Sequence, residues 1–262
     1  MSVKIDKRII PILAAFSLSA CFWLISVPAA HSGIATTKHN LSRTGPGTVK
    51  AATESRICVF CHTPHHAIVN VAGVSVPLWN HTLTSASYQL FSSGTLLSPT
   101  SPAIQPDGSS RLCLSCHDGT VAIGSVVNTG TSLSSISMQG VGGSGEMPEG
   151  INNIGTDLSG DHPISIEVNA ALITQKAQQC NDGRVMFKVC NPPAGSPVRL
   201  AKTDNRFGSG IPTGVGVQCS TCHDPHEDPV PGSTVFLRVG SKDDSSQLCN
   251  ACHIADCLAA CP

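Results

Sequence analysis

The longest apolar run in the chain lies at its start, where residues 9–27 are almost continuously hydrophobic behind Lys4, Lys7 and Arg8. No later segment has enough continuous apolar residues to span a membrane as a helix. Over residues 67–92 apolar and polar positions alternate in places, through Ile68, Val69, Val71, Val74 and Val76. A period of two predicts strands, here a small hairpin turning near Gly73. Residues 170–179 form the best helical stretch, with Asn169 placed to cap its first turn. Residues 128–160 are rich in Gly, Ser and Asn and read as a long loop or linker. Its Gly142-Gly143-Ser144-Gly145 matches no phosphate-binding signature and reads as a flexible surface turn. The remainder predicts mostly coil with short helices.

The basic start, the apolar stretch and the small residues Val27-Pro28-Ala29 before Ala30 predict a signal peptide over residues 1–30. Export to the periplasm or the extracellular space follows. Two other readings stay open. Leu18-Ser19-Ala20-Cys21 resembles a lipobox, and acylation of Cys21 would make an outer-surface lipoprotein. An uncleaved apolar run would anchor the chain directly. Ordinary cleavage is preferred because Phe22-Trp23-Leu24-Ile25 stay apolar where lipoproteins turn polar.

Composition then raises a problem. Charged residues make up 13% of the 262, about half the roughly 25% of an ordinary soluble protein. Aromatics are only 4%, and Phe16, Phe22 and Trp23 among them belong to the leader. The mature chain lacks the large side chains that fill a core of its size. Net charge is −1, and loss of Lys4, Asp6, Lys7 and Arg8 with the leader makes it −3. There is no basic stripe, so nucleic-acid partners are not expected. What the chain has in excess is 13 Cys and 11 His.

Eight of those cysteines form four C-x-x-C-H units: Cys58 and Cys61 with His62, Cys113 and Cys116 with His117, Cys219 and Cys222 with His223, Cys249 and Cys252 with His253. Two thiols at this spacing can form thioethers to the two vinyl groups of one haem. The adjacent His is then held over the porphyrin face as the proximal iron ligand. A redox dithiol does not require the His, which follows here every time. Paired C-x-x-C units can bind zinc, but zinc explains neither the repeated His nor the export signal. Four covalently bound haem c groups are therefore predicted, and they supply the missing core. Without them this loop-rich chain is not expected to fold. Cys180, Cys190, Cys257 and Cys261 are left over and predict two disulfides in an oxidising compartment. Proximity favours Cys180–Cys190 and Cys257–Cys261, with three pairings formally open.

The chain also repeats itself. Residues 56–65 match residues 217–226, each running through C-x-x-C-H to a Pro-His, and residues 109–113 match 245–249. Ahead of each half stands a His followed two residues later by an apolar residue and Ser, at His39 and His162. Duplication of a two-haem unit explains this, with halves at 31–127 and 161–262 joined by 128–160. Each half then offers two further histidines, His39 and His65 in the first, His162 and His226 in the second. They complete the ligand count for four irons. His65 and His226 each follow a proximal His by three residues. So short a link cannot easily reach the opposite face of the same haem, and a neighbouring haem is the expected target. His66 competes with His65, His81 is a ligand or a packed His, and His31 belongs to a mobile end. Met138, Met147 and Met186 are taken as packing or loop residues.

The blocks 58–65, Trp79-Asn80, His162-Pro163 and 219–226 resemble the multihaem c-type cytochromes with doubled CXXCH motifs. The chain also resembles the tetrahaem cytochromes that polymerise into extracellular conductive filaments in metal-respiring bacteria. That resemblance implies an electron-transfer protein, not an enzyme: mostly coil with short helices and a small hairpin, wrapped around four stacked covalent haems with two His ligands each. It implies redox partner proteins or extracellular acceptors, and a homopolymer sharing a haem ligand between subunits, with His39 in the N-terminal arm as the shared residue. The rival is a multihaem reductase of a small oxyanion, which needs one open iron. The ligand count and the absence of a C-x-x-C-K motif speak against it.

Overall fold

A computed structural model describes residues 33–71, 74–95, 105–131, 135–203, 214–227, 235–241 and 243–261. The predicted leader with Cys21, His31 and the turn at Gly73 lie outside the described residues. Regular structure is sparse. In chain order it comprises β1 (Lys50–Ala51), β2 (Ile68–Val71), β3 (Val74–Trp79), β4 (Gln89–Leu90), α1 (Gly108–His117), β5 (Met138–Gln139), β6 (Asp157–Leu158) and β7 (Ile166–Glu167). It continues with α2 (Ala170–Asn181), β8 (Lys188–Val189), β9 (Ala201–Thr203), β10 (Gly214–Val217), α3 (Cys219–Cys222), α4 (Ser246–Asn250) and β11 (His253–Ile254). Among the described residues no helix is long and apolar enough to cross a membrane.

β2 and β3 form the antiparallel hairpin that the alternation predicts, with Val71 opposite Val74 and Ile68 opposite Trp79. α2 begins where expected. The Asn169 side chain accepts from the Leu172 N–H at 2.9 Å, and the helix runs two residues past the predicted end. The Gly/Ser-rich stretch is not free-running in its described parts. It supplies β5, antiparallel to β1, and β6, parallel to β4, and it buries Ile136 and Leu158. Two isolated apolar residues carry no period, so pattern alone does not show them docking.

Residues 33–262 pack as one unit. Its apolar core is split into small clusters, and three of them touch the first two C-x-x-C-H segments. Val59 and Phe60, the two residues inside the first motif, join Ala51, Val126 and Ile136. Leu112 and Leu114 flank Cys113, with Leu112 packing on Val76 and Leu114 on Tyr88 and Leu158. Burying such side chains stabilises by about 1.5–3 kcal/mol each, and it fixes the cysteines between them.

The second and third C-x-x-C-H segments are joined by a buried polar knot. The Gln218 amide donates to Asp107 at 2.5 Å, Thr203 donates to the same carboxylate at 2.8 Å, and the Ser110 N–H donates to Gln218 at 3.1 Å. The Cys219 N–H donates to Ser110 Oγ at 3.0 Å. This knot seats the start of α3 against the first turn of α1. Behind it, β10 is flanked by β7 and β9. A Cβ at Gly216 would collide with the Ile166 carbonyl, so this close strand approach needs glycine.

The disulfides correct the proximity argument. Cys180 bonds Cys257 and Cys190 bonds Cys261. The reason lies in β8 and β11, which pair antiparallel with Val189 opposite His253 and Lys188 opposite Ile254. That pairing lays the C-terminal tail beside the segment from Cys180 to Cys190, so each cysteine meets one from the tail. Lys188, itself buried, donates to the carbonyls of Cys257 and Ala259 and ties the tail further. Crosslinks across 77 and 71 residues restrict the unfolded chain more than a ten-residue ring would.

Candidate functional site

Each C-x-x-C-H unit is held in a tight turn by backbone bonds. In the first, a 3-10 turn at Cys58–Phe60, the N–H groups of Cys61 and His62 both donate to the Cys58 carbonyl. Asn80, fully buried, straps it from outside: its N–H donates to the Cys61 carbonyl, and its amide to the Val59 and Asn128 carbonyls. The second unit ends α1, which closes on Asp118 and on Gly119 at φ +71°. The third fills α3, entered through a reciprocal cap between Gln218 and Thr221. Residues 235–238 run alongside, with the Arg238 N–H on the Cys222 carbonyl and the Asp224 N–H on the Phe236 carbonyl. The fourth passes from α4 into β11, with Phe187 edge-on to His253 at 4.4 Å.

The cysteines sort cleanly. Among the described residues, all eight in the motifs are free thiols, whereas the other four are disulfide-bonded. Burial pushes the Cys61 and Cys222 thiols up to about 11, and Cys116 higher still. Protonated, buried thiols are poor partners for dithiol exchange. Among the described residues no group of three or more His, Cys, Asp and Glu is arranged to hold a metal ion by itself. The second and third attachment segments lie side by side, with Ser109 Oγ at 2.6 Å from Ser220 Oγ and the Cys219 N–H donating to Ser110 Oγ at 3.0 Å.

The histidines form pairs. His39 and His117 have ring centres 6.1 Å apart, His62 and His226 6.0 Å, His162 and His253 6.0 Å. Interplanar angles are 64°, 13° and 59°. In each pair one ring belongs to a C-x-x-C-H unit and the other is a further His singled out in the sequence. Several rings are aimed by a carbonyl at Nδ1: Pro225 for His39 at 3.1 Å, Asn152 for His117 at 2.7 Å, Pro163 for His162 at 2.9 Å, Val235 for His223 at 2.7 Å. An Nδ1–H held this way leaves Nε2 free to ligate a metal. His65 and His223 are exposed and fall in none of the described ring pairs.

His81 is different. It is 1% exposed, with Nδ1 at 2.8 Å from the Thr82 carbonyl and Nε2 sealed without a partner. The eight histidines proposed as ligands all keep some exposure, as approach to a large flat group requires. His81 is the packed histidine of the two readings left open. Its burial lowers its pKa.

The sequence marks Asn80 only as part of a Trp-Asn pair and gives no sign of its strap, and it does not mark Phe236 at all. Phe236 stacks on His39 at 4.3 Å and 16°.

Residues 212–256 match the protein family described as the doubled CXXCH motif. The match covers the third and fourth units and supports a c-type cytochrome-like multihaem protein. A search of curated proteins finds no match to the chain. The donor set fits the group that this motif holds: paired free thiols, an adjacent His in each case, and a second ring facing that His in three.

Proposed function

We propose that the protein is an exported, periplasmic or extracellular electron carrier with four covalent haem c groups, each held between two histidines. The observation that carries this reading is the spacing of the three pairs. Metal–imidazole bonds of about 2.0–2.1 Å on either side of one iron put ring centres roughly 6 Å apart, as in these pairs. The pairs are then His117 with His39, His62 with His226 and His253 with His162. The repeat supplies the fourth. His226, three residues after His223, faces His62, so His65, three residues after His62, is the counterpart for His223. When bound, the haems supply reversible one-electron Fe(III)/Fe(II) chemistry. The paired histidines would hold each iron from both sides, so the ligand set would not need to change with redox state, and the Cys219–Ser110 bond would keep the second and third groups close. His39 ligates within its own chain. In a homopolymer the shared residue would instead be His65, which is exposed.

The test is electron paramagnetic resonance of the ferric protein with carbon monoxide titration after reduction. Four low-spin signals and no carbon monoxide uptake are expected. One observation favours a second reading, a reductase with one open iron: His223 has no described ring partner. A high-spin signal and uptake of one carbon monoxide per chain would remove the first reading and reveal the open iron that the second requires.

A further inference from the structure

His39 reaches its partner from an unusual direction. It belongs to the N-terminal arm, and it faces His117 of the second attachment unit at 6.1 Å. Yet the groups that orient it come from the third unit. Its Nδ1 meets the Pro225 carbonyl at 3.1 Å, two residues beyond His223. Its flat face lies on Phe236 at 4.3 Å, with the planes 16° apart. Even the start of the arm leans the same way, since a Cβ on Gly33 would touch the His226 carbonyl and Glu227.

Phe236 is itself held under constraint. Its φ of +55° lies in the left-handed region that bulky residues avoid. The segment around it is bonded to the third unit at every step: Val235 carbonyl to His223 Nδ1 at 2.7 Å, Phe236 carbonyl to the Asp224 N–H at 2.8 Å, Leu237 bridged to His223, and Arg238 N–H to the Cys222 carbonyl at 2.9 Å. Phe236 is 8% exposed in a chain with few aromatics. A phenylalanine kept in this conformation, presenting its face to an imidazole from another part of the chain, has a positioning use.

We propose that Phe236 is a positioning residue that holds His39 as an iron ligand, so that ligation at the second unit depends on the folded third unit. The proposal rests on reading His39 and His117 as an axial pair. The stacked ring restricts rotation of the imidazole about its Cβ–Cγ bond and, with Pro225, leaves Nε2 aimed at His117. Removing the face frees the ring to turn, and the arm can then lift away.

The test uses the full haem-loaded protein and four variants. His39→Ala sets the benchmark: one more carbon monoxide bound per chain than in the wild type, and one additional high-spin ferric signal. Phe236→Gly, which removes the ring and relieves the φ constraint together, should move one haem in the same way. Phe236→Leu keeps bulk and burial without a flat face and should do likewise. Phe236→Tyr keeps the face and should retain the wild-type spectrum. If His39→Ala leaves carbon monoxide uptake unchanged, the axial-pair reading has failed. If His39→Ala has its effect while Phe236→Gly and Phe236→Leu match the wild type, the positioning role is overturned. Altered signals at two or more haems in both would mean general disruption and would also overturn it.

Discussion

His62 and His226 face each other at 6.0 Å with ring planes 13° apart, although one belongs to the first half of the chain and the other to the second. Near-parallel imidazoles split the iron dπ orbitals more than crossed ones do. With an iron held between them as proposed, this site should give a rhombic low-spin signal, whereas the pairs at 64° and 59° should give broader, more anisotropic ones. His226→Ala should abolish the rhombic signal and open the iron attached through Cys58 and Cys61 to carbon monoxide. Spectra in which a different signal disappears would reassign the pair.

Phe60 is 1% exposed between Cys58 and Cys61 and packs on Ala51, Val59, Val126 and Ile136. Phe60→Ala should cost about 3–5 kcal/mol, read as a lower denaturant midpoint with an unchanged slope. Its haem content should remain that of the wild type, because the cysteines themselves are intact.

Replacing Cys190 and Cys261 together by Ser should destabilise the protein by about 2–5 kcal/mol. The loss should be felt first at the fourth unit, because the Cys190 N–H donates to the Cys252 carbonyl and Val189 pairs with His253. Hydrogen exchange should quicken at residues 250–254 before it changes in α1. Uniform acceleration would show that the crosslink acts only on the chain as a whole.

His81 gives the protein an acid sensitivity of known sign. Burial lowers its pKa, while an unfolded chain takes up its proton near pH 6.5; the Thr82 carbonyl and, more weakly, Asp118 oppose the shift without reversing it. Below that pH the unfolded state binds more protons, so stability falls as the solution is acidified, by at most about 1.4 kcal/mol per pH unit from this residue. Unfolding measured from pH 7 to 5 should show this slope in the wild type and a smaller one in His81→Gln.

The sequence makes the chemistry of the site legible because covalent haem attachment demands a fixed local spelling. Cys58, Cys61 and His62 can be read without knowing where the chain goes next. The helix at Ala170–Asn181 is legible for a similar reason, since Asn169 caps it locally. Long-range choices leave no such mark. Cys180 lies ten residues from Cys190 but bonds Cys257, because two residues of β8 pair with two of β11. The parallel pairing of β4 with β6 rests on two residues from each strand. Phe236 is hidden for a different reason: its role lies in a backbone conformation that no neighbouring glycine or proline announces.

The knot of Asp107, Thr203, Gln218 and Ser110 has a consequence for anyone who would cut the chain. The histidines cross the same boundary, since His226 faces His62 and His39 leans on Pro225. A fragment that stops between α1 and α3 would leave His62 without its facing ring and His39 without its carbonyl. The attachment units therefore have to be made, purified and altered as one object.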